Sequence, residues 1–186
     1  MSTRNLLRKH IAIAWHRTME EAYANRLIYN ERALQMYFCR RLEDAFGAHR
    51  RSVFVEPSFS VPGSSARIPD VVVCNSRRII GVIELKYTPQ KKAQYEKDLD
   101  TLRWFASHSE PLALCNQRYK DERERFSKRY ELASDAVLCW AGVYAGPRED
   151  IEKNAESLGP RFLHLHAITS AECPLEIYPP MQLDTV

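Results

Sequence analysis

The sequence predicts an α/β fold: a central mixed sheet of about five strands, flanked by helices on both faces, in one domain. Three observations carry that expectation. Apolar residues recur at helical spacing in residues 3–24, 31–46 and 89–108, and β-branched runs bounded by turn residues alternate with them. The chain has 186 residues, 45% apolar and 27% charged, which suffices for one sizeable core. The expected organisation is an N-terminal helical arm over 1–28, a central domain over 29–170 and a C-terminal tail over 171–186.

Residues 3–24 repeat Leu6, Leu7, Ile11, Ala14 and Trp15 at helical spacing, with Arg4, Arg8, Lys9 and Arg17 elsewhere. This reads as an amphipathic helix packing on the core, with a basic arm as the other reading. Asn30 supplies an N-cap for a second helix, Leu34, Phe38, Leu42 and Phe46 form its apolar stripe, and Gly47 ends it. Ser52 to Glu56, with Phe59 and Val61, reads as a first strand closed by Pro62-Gly63-Ser64-Ser65.

Arg67 to Tyr87 then reads as a hairpin. Val71-Val72-Val73 and Ile79 to Ile83 are strand-forming runs, and Asn75-Ser76 supplies the turn between them. Pro89 opens a third helix, with Tyr95, Leu99, Leu102 and Phe105 as its stripe. Asn116 to Glu131 is densely charged with both signs and reads as a helix with a solvated face, a phosphate-contacting face being the alternative. Ala136 to Tyr144 is a buried strand, Pro147 to Leu158 a short helix, and Arg161 to Ile168 another strand. His164 and His166 share a face of that strand. With no third ligand near them in sequence, they read as polar residues on a half-exposed strand. Residues 171–186, with Pro174, Pro179 and Pro180, read as an extended surface tail.

Net charge of +3 decides nothing about nucleic acid. The five cysteines are odd in number, lack CxxC spacing and sit mostly among apolar neighbours, so thiols in a reducing compartment are expected. Ile11 to Trp15 is too short for a signal core or a membrane span, which places the chain in the cytoplasm with no membrane partner.

The chemistry concentrates in the hairpin. Glu84 and Lys86 lie two apart on a strand, so they share a face about 7 Å from one another. Asp70 precedes Glu84 by fourteen residues, and folding at the Asn75-Ser76 turn brings the start of one strand beside the end of the other. Two carboxylates beside an ammonium make a hard oxygen site suited to Mg²⁺ or Mn²⁺, with Lys86 left to meet another anion. Glu31 lies in the first turn of the second helix, where spacing alone makes it an acid favouring the helix dipole.

Pro69-Asp70, a spacer and Glu84-x-Lys86 resemble the PD-(D/E)XK, or restriction-endonuclease-like, nuclease superfamily. Helix, strands, hairpin and helix over residues 30–108 follow that family's order. The resemblance implies an αβββαβ core and a Mg²⁺-dependent or Mn²⁺-dependent nuclease acting on DNA, with RNA as the other substrate. It implies metal ligation by Asp70, Glu84 and the Leu85 carbonyl, and a catalytic role for Lys86. It also places Glu31 as a third acid of the site, with Gln35 supporting it from the same side of the helix. Gln90 and Gln94 lack the tyrosine of the Gln-xxx-Tyr signature found in exonuclease branches, which favours an endonuclease. Arg118, Lys120 and Arg123, with Arg40, Arg41, Arg50 and Arg51, are the candidate phosphate contacts. No separate reader domain is evident, so a homodimer or a protein partner could supply target choice. The alternative is a catalytically silent member of the fold that binds nucleic acid or assembles with other proteins.

Overall fold

The computed structural model describes residues 3–59, 66–107, 112–116, 128–171 and 173–180. Helix α1 (Thr3–Arg17) runs into a π-helical segment, Thr18–Tyr23, and α2 spans Glu31–Phe46. Three strands follow: β1 (Ser52–Val55), β2 (Val71–Cys74) and β3 (Arg78–Thr88). After α3 (Glu96–Ser107) come β4 (Ala113–Asn116) and the long β5 (Lys128–Tyr144). The chain closes with α4 (Glu149–Asn154), a 3₁₀ segment Glu156–Arg161, β6 (Phe162–Ile168) and β7 (Glu176–Tyr178).

Among the described residues, seven strands form one mixed sheet in the order β1-β2-β3-β5-β6-β7, with β4 paired to β5 off this path. β1, β2 and β3 are antiparallel neighbours, β5 joins β3 and β6 in parallel, and β7 returns antiparallel at the edge. Parallel strands are normally covered on both faces. Here α1 and α2 cover Val71, Val73, Ile83, Leu85, Cys139 and Leu165, while α3 and α4 cover Val72, Val82, Leu138, Trp140 and Tyr144. The expected α/β architecture is therefore present, with two strands more than the sequence suggested.

The second helix follows its sequence signals closely. The Asn30 side chain accepts from the Ala33 amide at 2.8 Å, Gly47 takes φ +52° at the C-terminus, and Leu34, Phe38, Leu42 and Phe46 are all buried. Removing such an N-cap typically costs about 1 kcal/mol. α1 belongs to the core rather than standing beside it as an arm, because Leu7, Ile11, Trp15 and Met19 are fully buried against the sheet and α2.

Three expectations need correction. The third helix begins at Glu96, not Pro89; residues 89–95 form an irregular connection in which Lys91 bonds to Thr88 and to Ala145, tying the end of β3 to the end of β5. Lys128 to Glu131 belong to β5, not to a charged helix, because β4 pairs with them in antiparallel register. The tail contributes β7, with Ile177 opposite Ala167. Residues 117–127, and with them Arg118, Lys120 and Arg123, lie outside the described residues.

Among the described residues, no disulfide joins Cys39, Cys139 or Cys173; Cys74 and Cys139 are buried and Cys173 is exposed. Among the described residues, no helix is long and apolar enough to cross a membrane.

Candidate active site

β2 pairs with β3 only as far as Val71 opposite Ile83, while β3 runs on to Thr88 along β5. Among the described residues, the outer backbone edge of β3 beyond Ile83 has no strand neighbour. Unpaired strand amides need other acceptors. Two carboxylates supply them: Asp70 Oδ2 accepts from the Leu85 amide at 2.6 Å, and Glu31 Oε2 accepts from the Tyr87 amide at 3.1 Å. Asp70 reaches this edge because it is the residue just before β2, and Glu31 because the capped first turn of α2 ends above it. Gln35, one turn further along α2, donates to the Asp70 carbonyl at 3.0 Å and fixes the approach to β2. A residue in a strand directs its N–H and C=O to the same edge, so the Leu85 carbonyl also faces the Asp70 side.

Glu84 and Lys86 project from the face of β3 that α3 covers. Glu84 is only 5% exposed, and its Oε1 is buried with no hydrogen-bond partner among the described residues. Burial pushes its carboxyl far up, and the neighbouring charges of Asp70 and Asp98 add to the rise. Burial raises Asp70 as well, although the Leu85 amide works against that rise. Two carboxyls this close cannot both carry full charge without a cation between them. The Lys86 ammonium lies 3.4 Å from Asp98 Oδ2 and 3.7 Å from Glu31 Oε2. Burial opposes its charge, yet Asp98 and Glu31 hold its pKa above the ordinary lysine value.

Asp98 was not singled out in the sequence. It sits on α3 only 7% exposed, bonded through Oδ2 to the Trp140 indole N–H at 3.2 Å as well as to Lys86. Its signal was there: Asp98 falls three residues after Tyr95 and four before Leu102, so an acid interrupts the apolar stripe of α3. The structure thus brings Glu31, Gln35, Asp70, Glu84, Leu85 and Lys86 together, and adds Asp98.

The proposed phosphate contacts are placed differently. Arg40 and Arg41 lie nine and ten residues along α2 from Glu31, about 14 Å by helical rise. Arg41 is paired with Glu21 at 2.5 Å and Asp44 at 2.9 Å. Arg50 and Arg51 precede β1 at its end opposite Val55 and Val71, remote from the site. Arg51 is engaged with the His10 ring at 2.7 Å and lies over Phe46. Arg40 lines a cavity together with Gln35 and Glu56, while Arg41 and Arg51 are engaged by the partners just given.

The histidine pair also departs from expectation. His166 is fully buried, and burial pushes its imidazole down to about 3. A third ligand does approach: Glu152 on α4, with ligand atoms of Glu152, His164 and His166 all within 4.8 Å of one another, forms a group able to hold a metal ion. No sequence motif links it to the histidines, since Glu152 lies on α4, twelve positions before His164 and across a 3₁₀ segment.

The chain matches no protein-family model and no curated protein.

Proposed function

We propose that this protein is a metal-dependent nuclease that hydrolyses phosphodiester bonds, in DNA before RNA, with Mg²⁺ or Mn²⁺ held by Asp70 and Glu84. The observation that carries the reading is Glu84 Oε1, a buried carboxyl oxygen with no hydrogen-bond partner among the described residues, beside the half-buried carboxyl of Asp70. Such a group is costly unless a proton or a cation neutralises it. A divalent ion is the natural replacement for the proton that Glu84 keeps beside Asp70, and an all-oxygen set suits a hard ion.

Asp70 and Glu84 would bind the ion, with the Leu85 carbonyl and Glu31 completing the oxygen set. A bound divalent ion polarises a phosphoryl oxygen and lowers the pKa of a water molecule. The Leu85 amide fixes the Asp70 carboxylate, and Gln35 fixes the backbone that carries it. Lys86 presents its ammonium to the attacking water or to charge building on phosphorus, and Asp98 and Glu31 keep it protonated and aimed. Trp140 holds Asp98 in turn.

A second reading, the catalytically silent module, draws support from Lys86. Its two ion pairs make a closed structural network, and among the described residues the site does not bring three acidic side chains within 4.8 Å of one another. Incubation of the purified chain with linear, circular and branched DNA in Mg²⁺, Mn²⁺ and chelator separates the two. The nuclease reading expects cleavage only with metal, abolished in Asp70→Ala, Glu84→Ala and Lys86→Ala. Cleavage at the wild-type rate by the first two variants would reject it. A silent module would cut under none of these conditions, and its melting temperature would not rise with Mg²⁺.

A further inference from the structure

Glu84 stands beside Trp140 on β5, and Trp140 beside His164 on β6; two residues on, Lys86, Gly142 and His166 are likewise in register. His164 and His166 therefore share the sheet face of Glu84 and Lys86, two strands or about 10 Å away. The donors there are of another kind. We propose that Glu152, His164 and His166 bind a single borderline-soft transition-metal ion, of which Zn²⁺ is the type, at a centre separate from the carboxylate site.

The geometry is close to what such an ion requires. Ligand atoms about 2.1 Å from a tetrahedral ion lie about 3.4 Å from one another. His164 Nδ1 is 3.6 Å from Glu152 Oε1 and 2.9 Å from His166 Nε2. A few tenths of an ångström of opening brings the two rings to that spacing, and the Glu152–His166 side lies within 4.8 Å. Glu152 Oε1 is buried with no hydrogen bond among the described residues, so it faces the histidines as an unfilled acceptor. His166 is oriented from behind by its other nitrogen, Nδ1, 2.8 Å from the Tyr144 hydroxyl, and outer contacts of this kind recur behind metal-binding histidines. His164 is held by stacking against Tyr178, with centroids 5.8 Å apart at 15°.

The remaining charge at the rim is Arg148, whose Nε lies 3.9 Å from Glu152 Oε1. Its guanidinium sits over the Tyr178 ring at 3.8 Å and is shared with Glu149, and a metal ion would replace it as the cation beside Glu152. Two imidazoles and one carboxylate select transition ions over Mg²⁺ and leave a fourth position for water or another ligand. An ion there would clamp the six-residue α4 onto β6.

The inference stands apart from the nuclease reading and is tested apart from it. The full chain is titrated with Co²⁺ in excess Mg²⁺, which occupies hard oxygen sites, and the visible d–d bands of low-coordinate cobalt are followed, with Zn²⁺ as competitor. One equivalent should bind and be displaced by Zn²⁺. Glu152→Gln and His164→Asn, both partly exposed and so tolerable to the fold, should each weaken binding at least ~100-fold, and Tyr144→Phe ~10–100-fold. The Asp70→Asn/Glu84→Gln double variant should bind Co²⁺ as the wild type does. No cobalt spectrum in the wild type, or one unchanged in His164→Asn with native melting, would overturn the proposal, as would loss of the spectrum in the carboxylate double variant.

Discussion

The indole of Trp140 lies across Gly142, two residues on in the same strand, so closely that a Cβ on Gly142 would overlap the ring. In that position the indole N–H reaches Asp98, and the ring packs 5.7 Å from His166, centroid to centroid. Gly142 is thus the space into which the side chain joining the two candidate centres is laid. Gly142→Ala should force the ring out and cost about 1–3 kcal/mol, an overpacking penalty measurable by denaturant titration. The same variant should weaken metal-dependent cleavage, because Asp98 loses its indole partner. An alanine variant of wild-type stability would mean that the ring has another place to go.

Glu84 makes metal-free stability depend on pH in an unusual direction. Burial and its acidic neighbours push its folded pKa up to about 10 from a reference of 4.5. Between these values the folded state keeps a proton that the unfolded chain has released, so stability falls as pH rises. His10, His164 and His166, lowered by burial, titrate below pH 7, and Lys86, raised, loses its contribution only at still higher pH. In chelator, the unfolding free energy should therefore decline between pH 7 and 8, below the range in which the unfolded thiols of Cys39 and Cys139 add a decline of their own, by up to about 1.4 kcal/mol per pH unit. Glu84→Gln should flatten that decline. Thermal melts in EDTA across this window check it, and a wild-type curve already flat there would refute it.

Asp98→Asn tests the residue that the sequence reading missed. Asparagine can still accept from Trp140, but it no longer pairs with Lys86, whose one remaining carboxylate partner is Glu31 among the described ion pairs. Stability should drop by about 1–3 kcal/mol. If the nuclease reading holds, kcat should fall at least about tenfold while KM moves little, since Asp98 aims Lys86 and does not touch substrate. A fall in KM-type binding alone would instead place Asp98 against the nucleic acid.

Glu31 has a structural role and a proposed chemical one, and two substitutions separate them. Glu31→Gln keeps an acceptor for the Tyr87 amide but gives up the negative charge beside Lys86. Its melting temperature without metal should stay near wild type while Mn²⁺ affinity and cleavage fall. Glu31→Ala leaves the Tyr87 amide without its acceptor and should cost about 0.5–1.5 kcal/mol more. Normal cleavage by Glu31→Gln would confine Glu31 to the strand edge.

The legible parts of this molecule were those in which local pattern and tertiary position agree. The Asn30 cap, the α2 stripe and the Val71–Val73 run each specify an element that packing then confirms. The convergence of Asp70 on Glu84 followed from one hairpin turn. What escaped was set by distant partners. Glu176 to Tyr178 is strand because β6 offers an edge, and the 89–95 connection is not helical because Lys91 bonds to Ala145 across the fold. Asp98 and Glu152 are ordinary helix acids until β5 and β6 place Trp140, Lys86 and the two histidines against them.

The carboxylates that cap the outer edge of β3 have one more consequence, for solubility. A strand that outruns its neighbour offers bare amides and carbonyls to any passing chain, and cells contain many. Asp70 and Glu31 fill two of those amides with negative charge, so another strand cannot dock without displacing them. Evolution toward a different site chemistry could not delete both acids cheaply, for the protein would gain a sticky edge as it lost a ligand set. Asp70→Ala/Glu31→Ala should accordingly self-associate at concentrations where wild type and Lys86→Ala remain monodisperse by light scattering, whether or not metal is present. Monodisperse behaviour of the double variant would show that the edge is shielded by something other than its acids.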